Sequence, residues 1–116
     1  KVPIYGDGQQ AREWIHVNDH CSGIALVAKA GLAGHVYNIG SGAELKNIEL
    51  VSLIIREMGL LEDRIAFVQD RLGHDLRYSV NFEKIKSELQ YKPTVNFETG
   101  IRKTVAWYIN KYSSEK

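Results

Sequence analysis

The stretch Asp70 to Tyr78 reads Asp-Arg-Leu-Gly-His-Asp-Leu-Arg-Tyr and holds the densest chemistry in the chain. Asp70, Arg71, His74, Asp75 and Arg77 are charged or titratable, and Gly73 lets the backbone turn among them. A stripe for core packing does not look like this. Arg71 offers a planar fork that suits phosphate oxygens, and His74 offers a ring donor beside it. A solvated charged loop is the competing reading. Arg12 is a second candidate. It follows the turn Gly6-Asp7-Gly8 and precedes Trp14. A glycine-rich turn frees backbone N–H groups and can present Arg12 to an anion, although a hairpin with an exposed arginine accounts for the same residues. Asn38 ends a strand candidate with an amide that both donates and accepts. It also serves as a turn former beside Gly40-Ser41-Gly42.

Three further patterns imitate sites. Gly40-Ser41-Gly42-Ala43-Glu44-Leu45 lies between a strand and a helix, as a dinucleotide-binding turn does. Leu45 stands where that turn needs its third glycine, so NAD is not expected there. Tyr112-Ser113-Ser114-Glu115-Lys116 has the Tyr-x-x-x-Lys spacing of a dehydrogenase base, but in a polar tail rather than on a helix facing a cofactor. His16 and His20 are four apart with Glu13 nearby, yet only His20 falls in the expected helix, so no metal is expected. Cys21, the only cysteine, excludes an intrachain disulfide and reads as a buried small hydrophobe.

The elements that must position these residues follow from pattern. Residues 12–17 suggest a strand. Asp19 is placed to cap a helix over 19–31, with Ile24, Val27 and Ala28 on one face and Gly31 at its end. Residues 35–39 read as a strand. Asn47 is placed to cap a helix whose Ile48, Val51, Ile54, Ile55 and Met58 recur at helical spacing, with Gly59 ending it. Residues 65–68 are a strand, and 76–80 another. Phe82, Ile85 and Leu89 mark a short helix, Pro93 breaks the chain, and Asn96 caps a last helix faced by Phe97, Ile101, Val105, Tyr108 and Ile109. Strand and helix alternate, which argues for an α/β fold. The 116 residues make one domain or part of one. A net charge of +1 gives no field to draw nucleic acid or an anionic membrane. No apolar run approaches the ~18 residues of a membrane span. The single cysteine fits a reducing cytoplasm, the compartment expected here.

Four segments resemble, in order and over nearly the whole chain, the dTDP-glucose 4,6-dehydratases, an extended branch of the short-chain dehydrogenase/reductases. They are Pro3-Ile4-Tyr5-Gly6-Asp7-Gly8-Gln9-Gln10 with Arg12-Glu13-Trp14-Ile15-His16-Val17-Asn18-Asp19-His20; Tyr37-Asn38-Ile39-Gly40; Asp70 to Tyr78; and Gly100-Ile101-Arg102-Lys103-Thr104-Val105 with Trp107-Tyr108. Leu72 departs from the proline usual in this family, so φ is not fixed there, and Glu13 replaces a more usual aspartate.

The resemblance implies the C-terminal, substrate-binding subdomain of such an enzyme, with the family's N-terminal Rossmann domain absent from these residues. It implies an NAD-dependent lyase that converts dTDP-glucose to dTDP-4-keto-6-deoxyglucose. NAD, the catalytic groups and the contacts of a homodimer would all lie in the other part. The isolated chain would then be inactive and carry no catalytic residue. In this reading Pro3, Ile4 and Tyr5 line the base pocket, Arg12 contacts the diphosphate, and Asn38 meets the nucleotide sugar. Asp70, Arg71, Gly73 and His74 form the second arm of the diphosphate clamp. A related epimerase or UDP-sugar decarboxylase, or a stand-alone nucleotide-sugar binding module, is the alternative.

Overall fold

Val2–Tyr5 forms β1 and runs parallel to β4, Ile65–Val68, with Val2 opposite Ile65 and Tyr5 opposite Val68. The apolar run Ile65-Ala66-Phe67-Val68 reads plainly as a strand. Its partner is set by a contact no local pattern announces. The structure is a computed structural model that describes residues 1–113. The Tyr112-to-Lys116 pattern therefore ends outside the described residues.

A second sheet has the order β3-β2-β5, with β2 Ala11–Glu13, β3 Glu44–Lys46 and β5 Arg77–Tyr78. β2 pairs antiparallel with β3 and parallel with β5. β1 and β2 thus go to different sheets and form no hairpin. The strand expected over 12–17 stops at Glu13. Beyond it, Trp14 N–H donates to Ala43 and His16 begins a helix. The strand expected over 35–39 is irregular backbone instead. Its side chains, not its backbone, make the contacts: Tyr37 Oη donates to Glu88, and Asn38 Nδ2 to the Asn81 carbonyl.

α1, Val17–Ala30, is capped by His16, whose Nδ1 accepts from Asn18 N–H. Asp19 does not cap it. Asp19 is 2% exposed and binds the turn before the last helix: Oδ1 accepts from Thr94 N–H and Oγ, and Oδ2 from Val95 N–H. Burial raises its carboxyl, but these bonds and the nearby His16 outweigh that and hold it below the usual range. The buried face of α1 runs through Asp19 and Gly23. A Cβ on Gly23 would sit 2.7 Å from Ile39 Cγ2, so the bare backbone is what lets residues 36–40 approach. This close approach turns Ile24, Ala28 and Cys21 outward, against expectation, and Cys21 is an exposed free thiol.

α2, Asn47–Glu57, starts one residue after its cap, Lys46, and ends at Met58 and Gly59, whose φ is +69°. α3 is Glu83–Leu89. α4, Phe97–Ser113, begins as expected, with Asn96 Oδ1 accepting from Glu98 and Thr99 N–H. The core is Ile4, Leu50, Ile55, Ile85, Tyr91 and Val105. Tyr91 joins it to the glycine turn by donating to the Gly40 carbonyl at 3.1 Å. No helix among the described residues is long and apolar enough to cross a membrane.

Candidate functional site

The Asp70–Tyr78 loop leaves the C-terminal end of β4 and returns as β5. Asp70 fixes its first turn. Asp70 Oδ1 accepts from Arg71 N–H at 2.9 Å and faces His74 Nδ1 at 2.7 Å, and Oδ2 accepts from Gln10 Nε2 at 3.3 Å. The hydrogen bond from His74 is the main reason that the Asp70 carboxyl stays below its usual range. The turn closes through Gly73 at φ +68°. A Cβ on Gly6 would lie 2.8 Å from Asp70 Oδ2, so the Gly6-Asp7-Gly8 turn and this loop are seated against each other.

That seating changes the expected roles. The N–H groups of the glycine turn are not free. Gly6 donates to Val68 O, Gly8 to Tyr5 O and Gln9 to Asp7 Oδ1. The His74 side chain is only 7% exposed and lies edge-on to the Tyr5 ring, centroids 6.4 Å apart. Its Nδ1 is committed to Asp70. Arg71 is exposed, and its guanidinium makes no hydrogen bond among the described residues. Leu72, at the position of the family's proline, is fully exposed.

Arg12 sits on β2 beside this loop. Its Nη1 donates to Ala11 O at 2.7 Å and its Nη2 to Asp75 O at 3.0 Å. Of the first strand, Ile4 belongs to the core at 4% exposure, and Pro3 and Tyr5 face outward, as alternation along a strand requires. β1, the loop and Arg12 therefore form one assembly. Asn38 is exposed and approaches from the other side of β5, where its amide is held by Asn81. A cleft of about 160 Å³ joins the two sides, lined by Arg12, Glu13, Ile39, Gly40, Tyr78 and Ser79 among others.

Two residues of this region were not among the binding residues expected from the sequence. Glu13 Oε1 accepts from Ser41 and Gly42 N–H at 2.7 and 3.0 Å, and Oε2 accepts from Ser79 Oγ and Val80 N–H, both at 3.0 Å. Burial pushes its carboxyl up, and the four donors together overcome this and hold it low. Glu44 on β3 takes a two-bond fork from Arg77 on β5, at 2.7 and 2.8 Å, across the intervening β2. Arg77 is thereby occupied with structure. The register sets Arg77 level with Ala11 and Lys46 and Glu44 level with Glu13, so the long arginine reaches Glu44 diagonally, a pairing the sequence alone did not supply.

The Gly40-Ser41-Gly42 turn does not fit a dinucleotide. The two N–H groups that would cradle a pyrophosphate are bound to Glu13, and β3 after the turn runs antiparallel to β2. A cavity of about 670 Å³ between residues 14–16, the 41–43 turn, the 93–97 turn and helices α2 and α4 is lined by no arginine, lysine or carboxylate and shares only Ile15 with the cleft beside Arg12.

A sequence model described as GDP-mannose 4,6 dehydratase matches residues 1–104. A dTDP-glucose 4,6-dehydratase of Actinoplanes sp. is 53% identical over 107 residues, 92% of this chain and 33% of that protein. The crystal structure of a dTDP-glucose 4,6-dehydratase from Streptomyces venezuelae, with NAD bound, superposes with a TM-score of 0.92 at 47% identity, covering 97% of this chain and 35% of that one. A UDP-glucose 4-epimerase of Thermotoga maritima, solved with UDP-glucose, gives 0.88 at 26% identity, with 97% and 36% covered. The chain thus spans about a third of the length of the curated relatives it matches. By its sequence, its α/β fold and these superpositions, the chain belongs to the GDP-mannose 4,6 dehydratase family and corresponds to one third of a dTDP-glucose 4,6-dehydratase-like protein.

Proposed function

We propose that these residues are the nucleotide-sugar-binding part of an NAD-dependent dTDP-glucose 4,6-dehydratase, a lyase that forms dTDP-4-keto-6-deoxyglucose. The observation that carries the reading is the asymmetry of the Asp70–Tyr78 loop. Asp70, His74 and Arg77 are spent on holding it in shape, and Arg71 is left exposed without a hydrogen-bond partner among the described residues. A rigid turn that presents an unengaged guanidinium suits a diphosphate, with Arg12 behind it on β2. Pro3 and Tyr5 supply the outward face of β1 for a base. Asn38 offers its amide to the sugar end. Binding free energy gathered at the nucleotide places the remote sugar for reaction.

No residue of the chain is assigned a chemical step. NAD, which supplies the hydride acceptor when bound, does not fit the one glycine turn that imitates its site, so it belongs with residues outside these 116. The homodimer contacts and the cytoplasmic location expected from the resemblance belong to the same whole-protein proposal. The purified 116-residue chain is expected to show no turnover of dTDP-glucose.

The test is calorimetric titration of the full-length protein with dTDP-glucose, with UDP-glucose as control. Arg71→Ala is expected to weaken binding of dTDP-glucose about 10- to 100-fold, since one charge-assisted bond contributes roughly 1.5–3 kcal/mol. The thermal transition should stay in place, because the side chain is exposed. Unchanged affinity would remove Arg71 from the site.

A further inference from the structure

We propose that Glu13 is a positioning residue for nucleotide-sugar binding: its carboxylate sets where Asn38 stands relative to the arginine-bearing loop. This rests on the binding role proposed above. The geometry runs through one side chain. Asn38 lies three residues before Ser41, whose N–H donates to Glu13 Oε1 at 2.7 Å. The Asn38 amide is anchored, at 3.1 Å, on the carbonyl of Asn81. Asn81 follows Val80, whose N–H donates to Glu13 Oε2 at 3.0 Å. The segment that carries Asn38 and the segment that anchors its amide therefore end on the two oxygens of one carboxylate.

The neighbouring residue of β2 completes the arrangement. Arg12 Nη2 holds the Asp75 carbonyl at 3.0 Å, and Glu13 holds Ser79 and Val80. Two consecutive side chains thus pin both ends of residues 75–80. The cleft of about 160 Å³ between the Arg12 side and the Asn38 side has Glu13 in its wall. Only an ionised carboxylate meets donors at both oxygens; a glutamine offers one acceptor oxygen and turns a donor toward the other pair. Space is as tight as the bonding. A Cβ on Gly40 would overlap Glu13 Oε1 and lie 2.7 Å from the Phe82 ring.

The test is a double-mutant cycle in the full-length protein, reading kcat and KM for dTDP-glucose in the parent, Glu13→Gln, Asn38→Ala and the double variant. Glu13→Gln is expected to raise KM about tenfold with kcat changed less than about twofold, the loss of roughly one buried charge-assisted bond. In the Asn38→Ala background the same substitution should change KM by less than about twofold, because the group it positions is gone. A purely structural Glu13 would lower the melting temperature and leave KM alone, and that result overturns the proposal. So does an equal rise in KM in both backgrounds. Should Glu13→Gln not fold, Ser79→Ala carries the same cycle. It removes one of the four donors without touching the backbone, with about a two- to threefold rise expected. Asn38→Ala with the parent's KM would instead refute the assignment of Asn38 to the sugar, and this inference with it. Arg71→Ala tests the binding role independently.

Discussion

Asp19 and Asp70 are both held below the usual carboxylate range, in opposite settings, and acid should separate them. Asp19 is buried among three donors that fasten α1 to the turn before α4. Its folded pKa lies below the unfolded value, so its contribution is complete above about pH 4 and disappears as pH falls through the folded pKa. Asp19→Ala is expected to cost about 2–4 kcal/mol in the full-length protein, because two backbone N–H groups and a hydroxyl lose their acceptor. Chemical denaturation of the two proteins at pH 7 checks this, and the difference should shrink in acid. Asp70 is exposed, and its bonds order a loop rather than a core. Asp70→Asn should therefore leave the melting temperature nearly unchanged and weaken dTDP-glucose binding, measured by the same titration as Arg71→Ala. A large loss of stability with intact binding would reverse the two assignments. The turn at Gly73 was legible from residue type and spacing. The inward turn of His74 was not, because the Asp70 carboxylate that faces its Nδ1 is brought there only by the folded loop.

At the scale of elements, what could be read was what is local. The last helix was plain from Asn96 and the spacing of Phe97, Ile101 and Val105, and the end of α2 from Gly59. What could not be read depends on distant partners. Residues 35–39 alternate and lie between glycines, so they resemble a strand, yet among the described residues they pair with no strand, and Tyr37 and Asn38 are held by their side chains. The face of α1 was misplaced because Gly23, which ranks low in any apolar count, is the point of closest approach to Ile39. β3 was taken only as the tail of a glycine turn. These placements support a test on the turn itself. Gly40→Ala places a methyl where Glu13 Oε1 and Phe82 stand, and should reproduce the Glu13→Gln phenotype with an added loss of about 1–3 kcal/mol from overpacking. Crystallography or thermal melting with steady-state kinetics on the full-length variant checks both parts. A variant with parental KM would show that the turn is free to adjust.

For the molecule as a whole, the radius of gyration is 16.8 Å with extents of 48 × 38 × 22 Å. A compact domain of this length would have about 13 Å. The excess fits the burial pattern, in which Ile24, Phe67, Leu76, Trp107, Tyr108 and Ile109 are exposed and the last turns of α4 lie beside an apolar groove of about 650 Å³. The strands of the described residues divide into two small sheets, of two and three strands. The isolated 116-residue chain is accordingly expected to bind a hydrophobic dye and to melt broadly. A sharp cooperative transition of a monomer with no dye binding would show that the chain completes its own core. Fold class and the order of the segments were visible in the sequence; this openness was not, because composition alone does not tell which apolar residues find partners.

The parallel pairing of β1 with β4 sets a timetable. Val2 and Ile65 are 63 residues apart, the same separation as Arg12 and the Asp75 carbonyl that it holds. At a synthesis rate of about 5–20 residues per second, β1 leaves the ribosome roughly 3–13 seconds before its partner strand β4 exists. Until then Val2, Ile4 and Tyr5 form an unpaired apolar edge of the kind that recruits other chains. When β4 arrives, the Asp70–Tyr78 loop is the next segment to emerge. The step that silences the edge is thus also the step that seats the loop, and a nascent chain arrested before residue 65 should engage chaperones that one arrested after residue 78 releases.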